Sequence, residues 1–485
     1  MSRSSRRGDH ARPRGHARAH WLRGLVGLTL VALAGCSARS GFPARIVTGY
    51  ISHVVCSYVF VSGLDPARVA EEDVAANPVF RGFHWAFSHH VDRDKREVSA
   101  WTIGGLESRA VYREGLGCLN LNGSPAPAAP TRAELDGDGG AVADPSGSAV
   151  VTPTSPGLAT ALDAAFAEPE GQAVRRTHAI VVAHNGRLVA ERYAPGFGID
   201  TPLHGWSATK SINNALLGIV VRQGLLQMDA PAPVAAWQGA TDPRRAITPD
   251  HLLRMESGLA LGDSLTASLS SSWDTSARMM FNEGDMAGFA TGAALQVAPG
   301  ARWKYANGNS AILARLMRDR VGGRAADVVR FARRELFEPL GIRRAVLETD
   351  ATGTPIAGAF GFMTAREWAR FGMLFLDDGV VGGRRILPEG WVQDSTTPTA
   401  NASVGYGAGW WINEGESQGA RFRRQHGMPA DAFMALGIYG QTVVVVPSAR
   451  LVIARFGTTY DLPLAMIDIC RLTAAVVADV KAARH

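Results

Sequence analysis

At 485 residues the chain exceeds one average domain, and 46% hydrophobic against 19% charged residues is the composition of a folded protein with a sizeable core. The net charge of +6 is carried by residues 1–35, which hold seven Arg and one Asp, so the remainder balances 43 basic against 43 acidic side chains. A formally neutral body excludes a protein that grips nucleic acid through a broad basic face.

In chain order, Arg3, Arg6, Arg7, Arg12, Arg14, Arg18 and Arg23 precede an apolar run from Leu25 to Ala34 that is too short to span a bilayer comfortably. The run ends Leu33-Ala34-Gly35-Cys36. This resembles a bacterial lipoprotein signal over residues 1–35. The resemblance implies export, cleavage before Cys36, acylation of its thiol and new amino group, and anchoring in a membrane. With Ser37 next, it implies an outer-membrane lipoprotein on the periplasmic side.

Residues 36–125 read as a strand-rich N-terminal region. Ile46–Val61 is apolar and β-branched, and Val98–Leu121 has turns at Gly104-Gly105 and Gly115. An oxidising compartment makes Cys56 and Cys118, both in this region and flanked by strand-like sequence, the best disulfide pair. Cys470, in an apolar helical run, reads as a buried small hydrophobe. No spacing resembles a zinc or iron–sulfur site, so neither metal nor cofactor is expected. Residues 126–156, rich in Gly, Pro and Ala, read as a linker.

From residue 157 to 485 the pattern changes to a helix at Leu158–Ala167, then strands Ala179–Val182 and Leu188–Tyr193 joined by an Asn185-Gly186 hairpin turn. Helices are expected near Pro249–Met255, Ala311–Val321, Ala326–Leu336, Ala365–Leu376 and Leu464–Ala482. Strands are expected at Gly409–Asn413, Phe433–Ile438, Thr442–Val446 and Leu451–Phe456.

One stretch carries chemistry. Gly205-Trp206-Ser207-Ala208-Thr209-Lys210 opens a helix in which Ile212, Leu216, Ile219 and Val220 recur at helical spacing and Gly224 is a stop. Ser207 and Lys210, three apart, share one face of its first turn. An amine whose pKa is lowered by desolvation can take the hydroxyl proton, and the helix N-terminus favours the developing oxyanion. Lys210 is one of only four lysines in an Arg-rich chain, and arginine cannot titrate usefully. Downstream, Tyr305-Ala306-Asn307 sets a phenol beside an amide, able to exchange protons and orient an amine. Ile247–Leu259 marks a landmark helix. Gly437-Ile438-Tyr439-Gly440-Gln441, ahead of strand Thr442–Val446, can line a cleft wall through which backbone N–H groups approach a carbonyl.

In this order these residues resemble the β-lactamase-related serine hydrolases, which include class C β-lactamases, D-alanyl-D-alanine carboxypeptidases, certain carboxylesterases and 6-aminohexanoate-dimer hydrolases. The resemblance covers roughly Gly157 to the C-terminus. It implies an α+β fold, an antiparallel sheet flanked by helices plus a mainly helical lobe, with the site between them. It implies Ser207 as nucleophile, Lys210 and Tyr305 as proton-transfer groups, Asn307 as orienting amide, and the backbone N–H groups of Ser207 and Gln441 as oxyanion hole. Tyr439, Gly440 and Trp410 are expected at the substrate. Tyr406, Trp410 and Trp411 read equally as an aromatic pocket wall or as alternating strand packing. One departure matters. Where β-lactamases and peptidases of this kind place Lys or His to engage a substrate carboxylate, this chain has Ile438. That favours small neutral esters or amides and the esterase and 6-aminohexanoate-dimer hydrolase branch. Arg424 or His426 could supply a cation instead, but both read first as solvated surface residues. The alternatives are a β-lactamase or D-alanyl-D-alanine carboxypeptidase, or a penicillin-binding sensor that acylates and stalls.

Overall fold

The computed structural model of the chain describes residues 42–482 other than 79, 81, 137–146, 148, 169–173 and 263–274; the basic leader and Cys36 lie outside the described residues. The apolar stretch Ile46–Val61, placed in a strand-rich region, is helical. It forms most of α1 (Phe42–Cys56) and a wider helical turn over Ser57–Val61. A mainly apolar run gives no clear period that separates strand from buried helix, and its length, far beyond a typical strand, favours the helix. Ala44–Val61 is long and apolar enough to cross a bilayer, yet 67% of it is buried within the fold. Its Thr48, Ser52, His53 and Ser57 are buried and hydrogen-bonded to protein, as on a core helix.

α1 lies on a four-stranded antiparallel sheet in the order β1 (Phe87–Asp92), β2 (Glu97–Thr102), β3 (Glu107–Arg113), β4 (Gly117–Asn120). A disulfide joins Cys56 at the helix end to Cys118 in β4. This region is fastened to the rest of the molecule. The buried carboxylate of Glu348 accepts from the backbone N–H of Cys118 (2.8 Å) and from Ser57 Oγ (2.9 Å), and pairs with His53 Nε2 at 2.7 Å. Ile46 and Val54 belong to the same apolar cluster as Ile212 and Leu216. Within the expected linker, a short helix at Arg132–Asp136 packs Leu135 against Leu116 and Ala326.

Helix α2 (Pro156–Phe166) starts at Ser155, whose hydroxyl accepts from the Leu158 N–H. Strands β5 (Thr177–His184) and β6 (Arg187–Tyr193) form a hairpin whose turn residues Asn185 and Gly186 have φ of 50° and 76°, as the Asn-Gly pair demands. β7 (Leu203–His204) leads through a single 3-10 turn, Trp206–Ala208, into α3 (Thr209–Arg222). Every residue of α3 from Thr209 to Val220 is buried. The chain continues through α4 (Asn307–Arg320), β8 (Val346–Leu347), β9 (Gly361–Met363), α5 (Ala365–Leu376) and a small hairpin of β10 (Val380–Val381) with β11 (Arg384–Arg385). It ends with β12 (Trp411–Ile412), β13 (Phe433–Leu436), β14 (Thr442–Val446), β15 (Leu451–Gly457) and α6 (Leu462–Ala482).

The main sheet is antiparallel, in the order β12-β13-β14-β15-β5-β6. Its side chains alternate between two cores. Val443, Val445, Val452 and Ala454 join the cluster around α3 and α5, whereas Val444, Val446, Ile453 and Leu451 pack with α2 and α6. Short helices at Pro249–Leu253, Thr275–Asn282 and Met286–Thr291 gather around α4 as a second, mainly helical group. The fold is α+β, an antiparallel sheet flanked by helices with a helical lobe, and α3 runs between the two parts.

Candidate active site

The backbone is strained where the chain enters α3. Trp206 adopts φ 45°, a left-handed conformation that costs a bulky residue about 1–3 kcal/mol unless its surroundings enforce it. They do so by packing. Tyr50 of α1 stacks on the indole at 6.3 Å, with the rings 15° apart, and the His204 ring lies 4.3 Å away. The Gly205 N–H is tied to Gly361 O at 2.9 Å. The twist delivers Ser207 to the head of α3 at the edge of a cavity.

Lys210, on the next turn, is 3% exposed, and burial lowers its pKa to about 7 because the desolvated ammonium is disfavoured. Its Nζ lies 3.0 Å from Ser207 Oγ, and donates to Asn307 Oδ1 and to Gly358 O, both at 2.6 Å. Two carbonyl-type acceptors take the two hydrogens of a neutral amine, which leaves its lone pair for the serine hydroxyl. Asn307 is the first residue of α4 and is held in turn by Ser276 Oγ at 3.0 Å from its Nδ2. Tyr305 brings its ring face to 4.7 Å from the Lys210 nitrogen. Its hydroxyl is buried and has no hydrogen-bond partner among the described residues. Burial pushes the Tyr305 pKa well above the phenol range, and the nearby Ser207 hydroxyl and Trp411 indole offset only part of that push. The Tyr305 loop is fixed from behind by the landmark segment: the Lys304 N–H donates to Met255 O (2.9 Å), and Ser257 Oγ to Asn309 Oδ1 (2.7 Å).

Ser207, Lys210, Tyr305 and Asn307 are therefore brought together. The cavity that Ser207 and Tyr305 border has a volume of about 230 Å³. Trp411 and residues 436–440 with Thr442 form one side, and Leu462, Ala465, Met466 and Ile469 of α6 the other. Among the described residues, no charged side chain lines it. Thr442 contributes a buried hydroxyl without a partner among the described residues. Larger surface clefts of about 740 and 860 Å³ lie elsewhere and contain none of these four residues, so size alone would mislead.

One expectation is corrected. Trp410 does not reach the cavity; it is fully buried between Phe375 and Phe433, at 4.3 and 5.2 Å between ring centres. Neighbouring strand residues face opposite ways, so the residue that lines the cavity is Trp411. The Gln441 side-chain amide bridges to Gly457, donating to its O and accepting from its N–H, while the Gln441 backbone N–H, the group expected at the oxyanion, directly follows the cavity residues Tyr439 and Gly440. Gly437 and Ile438 also line the cavity, and Gly437 approaches so closely that a Cβ would sit 2.1 Å from Gly205 O. Arg424 and His426 supply no cation here. Arg424 Nη1 donates to Asn413 O and Gly415 O, and His426 Nδ1 lies 2.8 Å from Phe422 O. Tyr439 and Gly440 do line the cavity.

Sequence reasoning missed the wall of α6 and the part played by α1. Leu462, Ala465, Met466 and Ile469 follow a helical period that reads as ordinary core packing, and nothing in it signals a ligand. Tyr50 stood in an apolar run read without its helical period.

The family model of the beta-lactamases, described simply as Beta-lactamase, matches residues 162–466. The chain belongs to the beta-lactamase family. It is 23% identical over 308 residues to the 6-aminohexanoate-dimer hydrolase of Paenarthrobacter ureafaciens, covering 59% of this chain and 73% of that protein. Among solved structures, a Bacillus anthracis protein provisionally named a 6-aminohexanoate-dimer hydrolase superposes with a TM-score of 0.53 at 23% identity, over 64% of this chain and 80% of that one. EstCE1, described as a hydrolase with promiscuous acyltransferase activity, superposes with a TM-score of 0.51 at 15% identity, over 65% and 98%. At these identities the structural likenesses speak for the fold. Residues 42–161 lie outside the family match.

Proposed function

We propose that this member of the beta-lactamase family is a serine hydrolase that cleaves small neutral esters or amides through an acyl-enzyme on Ser207. The observation that carries the reading is the Lys210 nitrogen, 3.0 Å from Ser207 Oγ with its hydrogens committed to Asn307 Oδ1 and Gly358 O. Ser207 Oγ attacks the carbonyl carbon as its proton passes to Lys210. The tetrahedral oxyanion is held by the Ser207 N–H and by the strand edge beside it. The Gly437 N–H is already bonded to Gln441 O at 2.7 Å, and the Gln441 backbone N–H is the donor the family resemblance implies there. Tyr305, kept protonated by burial, relays the proton to the departing alkoxide or amine rather than serving as base. Water then attacks the acyl carbon, releasing the acid and restoring the Ser207 hydroxyl.

The apolar cavity supports a neutral substrate. A β-lactam or a D-alanyl peptide brings a carboxylate, and burying it without a cation is costly. Purified protein is expected to turn over p-nitrophenyl acetate steadily, with far slower turnover of nitrocefin. A fluorophosphonate probe is expected to add its mass to the peptide containing Ser207 and not to a Ser207→Ala variant. Labelling that survives the substitution removes Ser207 from the nucleophile role, and a single burst without turnover favours the sensor.

We also propose that the protein is exported and anchored through lipid on Cys36. The Cys56–Cys118 disulfide supports an oxidising compartment. Cys36→Ala is expected to move the protein from the membrane to the soluble fraction.

A further inference from the structure

The side chains of Trp85 and Ile103 are the most exposed large hydrophobics among the described residues, at 67% and 72%, and Phe83 is exposed as well. They are one patch. The Ile103 N–H donates to Ala86 O at 3.0 Å, next to Trp85, and Phe83 packs on Phe87, where β1 begins beside Thr102 of β2. Lone exposed apolar residues are ordinary, but a Trp, an Ile and a Phe grouped at one end of a sheet mark a surface that something covers.

The path of the chain points to the occupant. α1 enters the fold at this same end: Ser108 of β3 donates to Arg45 O and shares a 2.7 Å hydrogen bond with Thr48. The turn carrying Ile103 starts two residues, roughly 7 Å, back along β3 from Ser108. Only five residues separate Cys36 from Phe42, a reach of about 20 Å at most over the six steps. We infer that Phe83, Trp85 and Ile103 are a membrane-docking surface, inserted into the headgroup region of the bilayer that holds the Cys36 lipid. Trp and Phe are the side chains that settle at such an interface, and Gly104 and Gly105 let the turn lie flat against it. The inference rests on the lipid anchor proposed above and gives the N-terminal region a use: it sets the orientation of the hydrolase on the membrane. Binding is apolar, since Glu107 is the nearest charge on the turn strand, and so it is insensitive to salt.

The test uses the chain from Cys36 onward carrying Cys36→Ser, so that any membrane affinity comes from the patch alone. Phosphatidylcholine vesicles at millimolar lipid should co-sediment a measurable fraction of the protein and shift part of its tryptophan emission to the blue. Brominated lipid should quench that part. Trp85→Ser with Ile103→Ser should lower the bound fraction tenfold or more and abolish the quenching, while p-nitrophenyl acetate turnover stays unchanged because neither residue touches the cavity. Equal vesicle binding by parent and variant overturns the inference, as does the absence of binding. A concentration-dependent dimer that the double substitution dissolves also overturns it, in favour of a second copy of the chain. If Cys36→Ala leaves the cellular protein in the membrane fraction, the anchor fails separately, whatever the vesicles show.

Discussion

Replacing Lys210 by Arg probes the charge state of the buried amine. The amine sits 3.0 Å from the serine oxygen, and burial holds its pKa at about 7, far below the ordinary lysine value near 10.4. The proton-accepting form is the neutral one, so kcat/KM rises with pH, is half-maximal near pH 7 and levels above about pH 8. One unit below the midpoint about one molecule in eleven is neutral, so the rate at pH 6 is roughly a tenth of the plateau. Arginine stays charged throughout and cannot accept the proton. The substitution therefore removes general-base catalysis, worth about 10²–10⁴ in rate, as fully as Lys210→Ala does. The assay is the initial rate of p-nitrophenyl acetate hydrolysis from pH 5.5 to 9, corrected for spontaneous hydrolysis, with thermal melts to confirm that both variants fold. A profile flat across pH 7, or an Arg variant within tenfold of the parent, refutes the assignment of Lys210 as base.

The cavity against α6 predicts a chain-length preference. Each buried methylene contributes about 0.8 kcal/mol, or roughly fourfold in kcat/KM, so p-nitrophenyl esters should improve from acetate toward hexanoate. An apolar cavity of about 150 Å³ accommodates benzene, so one of about 230 Å³ has room for such a chain. Ala465→Phe should erase the gain while leaving acetate within threefold, and a series it does not alter would place the acyl group elsewhere. The disulfide closes a loop of 62 residues, so Cys56→Ala with Cys118→Ala should cost about 4 kcal/mol in urea unfolding; no loss would show that the N-terminal region is held by other contacts alone.

The chemistry of the site was legible because it is local. Ser207 and Lys210 are one helical turn apart at the entry to α3, and Tyr305 and Asn307 flank the entry to α4, so spacing alone kept the members of each pair close. The strands of the main sheet were legible for the same reason: Thr442–Val446 lies at its expected bounds and Leu451–Gly457 runs one residue past them, because continuous β-branched runs between turns leave little choice. What failed depended on direction or on distant partners. Trp410 and Trp411 are equally aromatic, and only strand register decides which enters the cavity. The helical state of Ile46–Val61 is set by what it packs on, and its own residues favour strand as readily as helix.

The N-terminal region also matters to the chemistry. Trp206 and Tyr439 flank the cavity, and both hold left-handed backbone conformations, at φ 45° and 65°, which their bulk disfavours. Their rings meet edge to face at 5.9 Å, so each braces the other, but the pair still needs outer support. It comes from two directions. Tyr460, at the approach to α6, packs on Tyr439 at 4.7 Å and donates its hydroxyl to Glu72 O at 2.8 Å, and Tyr50 of α1 stacks on Trp206. Glu72 and Tyr50 both belong to the segment that the family match leaves out. The strain that sets the Ser207 turn against its facing strand edge is thus contained by added structure. That structure is itself locked to the body through Glu348 beside the Cys56–Cys118 disulfide. A spacer between anchor and enzyme would need none of these contacts; a region that keeps two strained aromatics in place needs all of them.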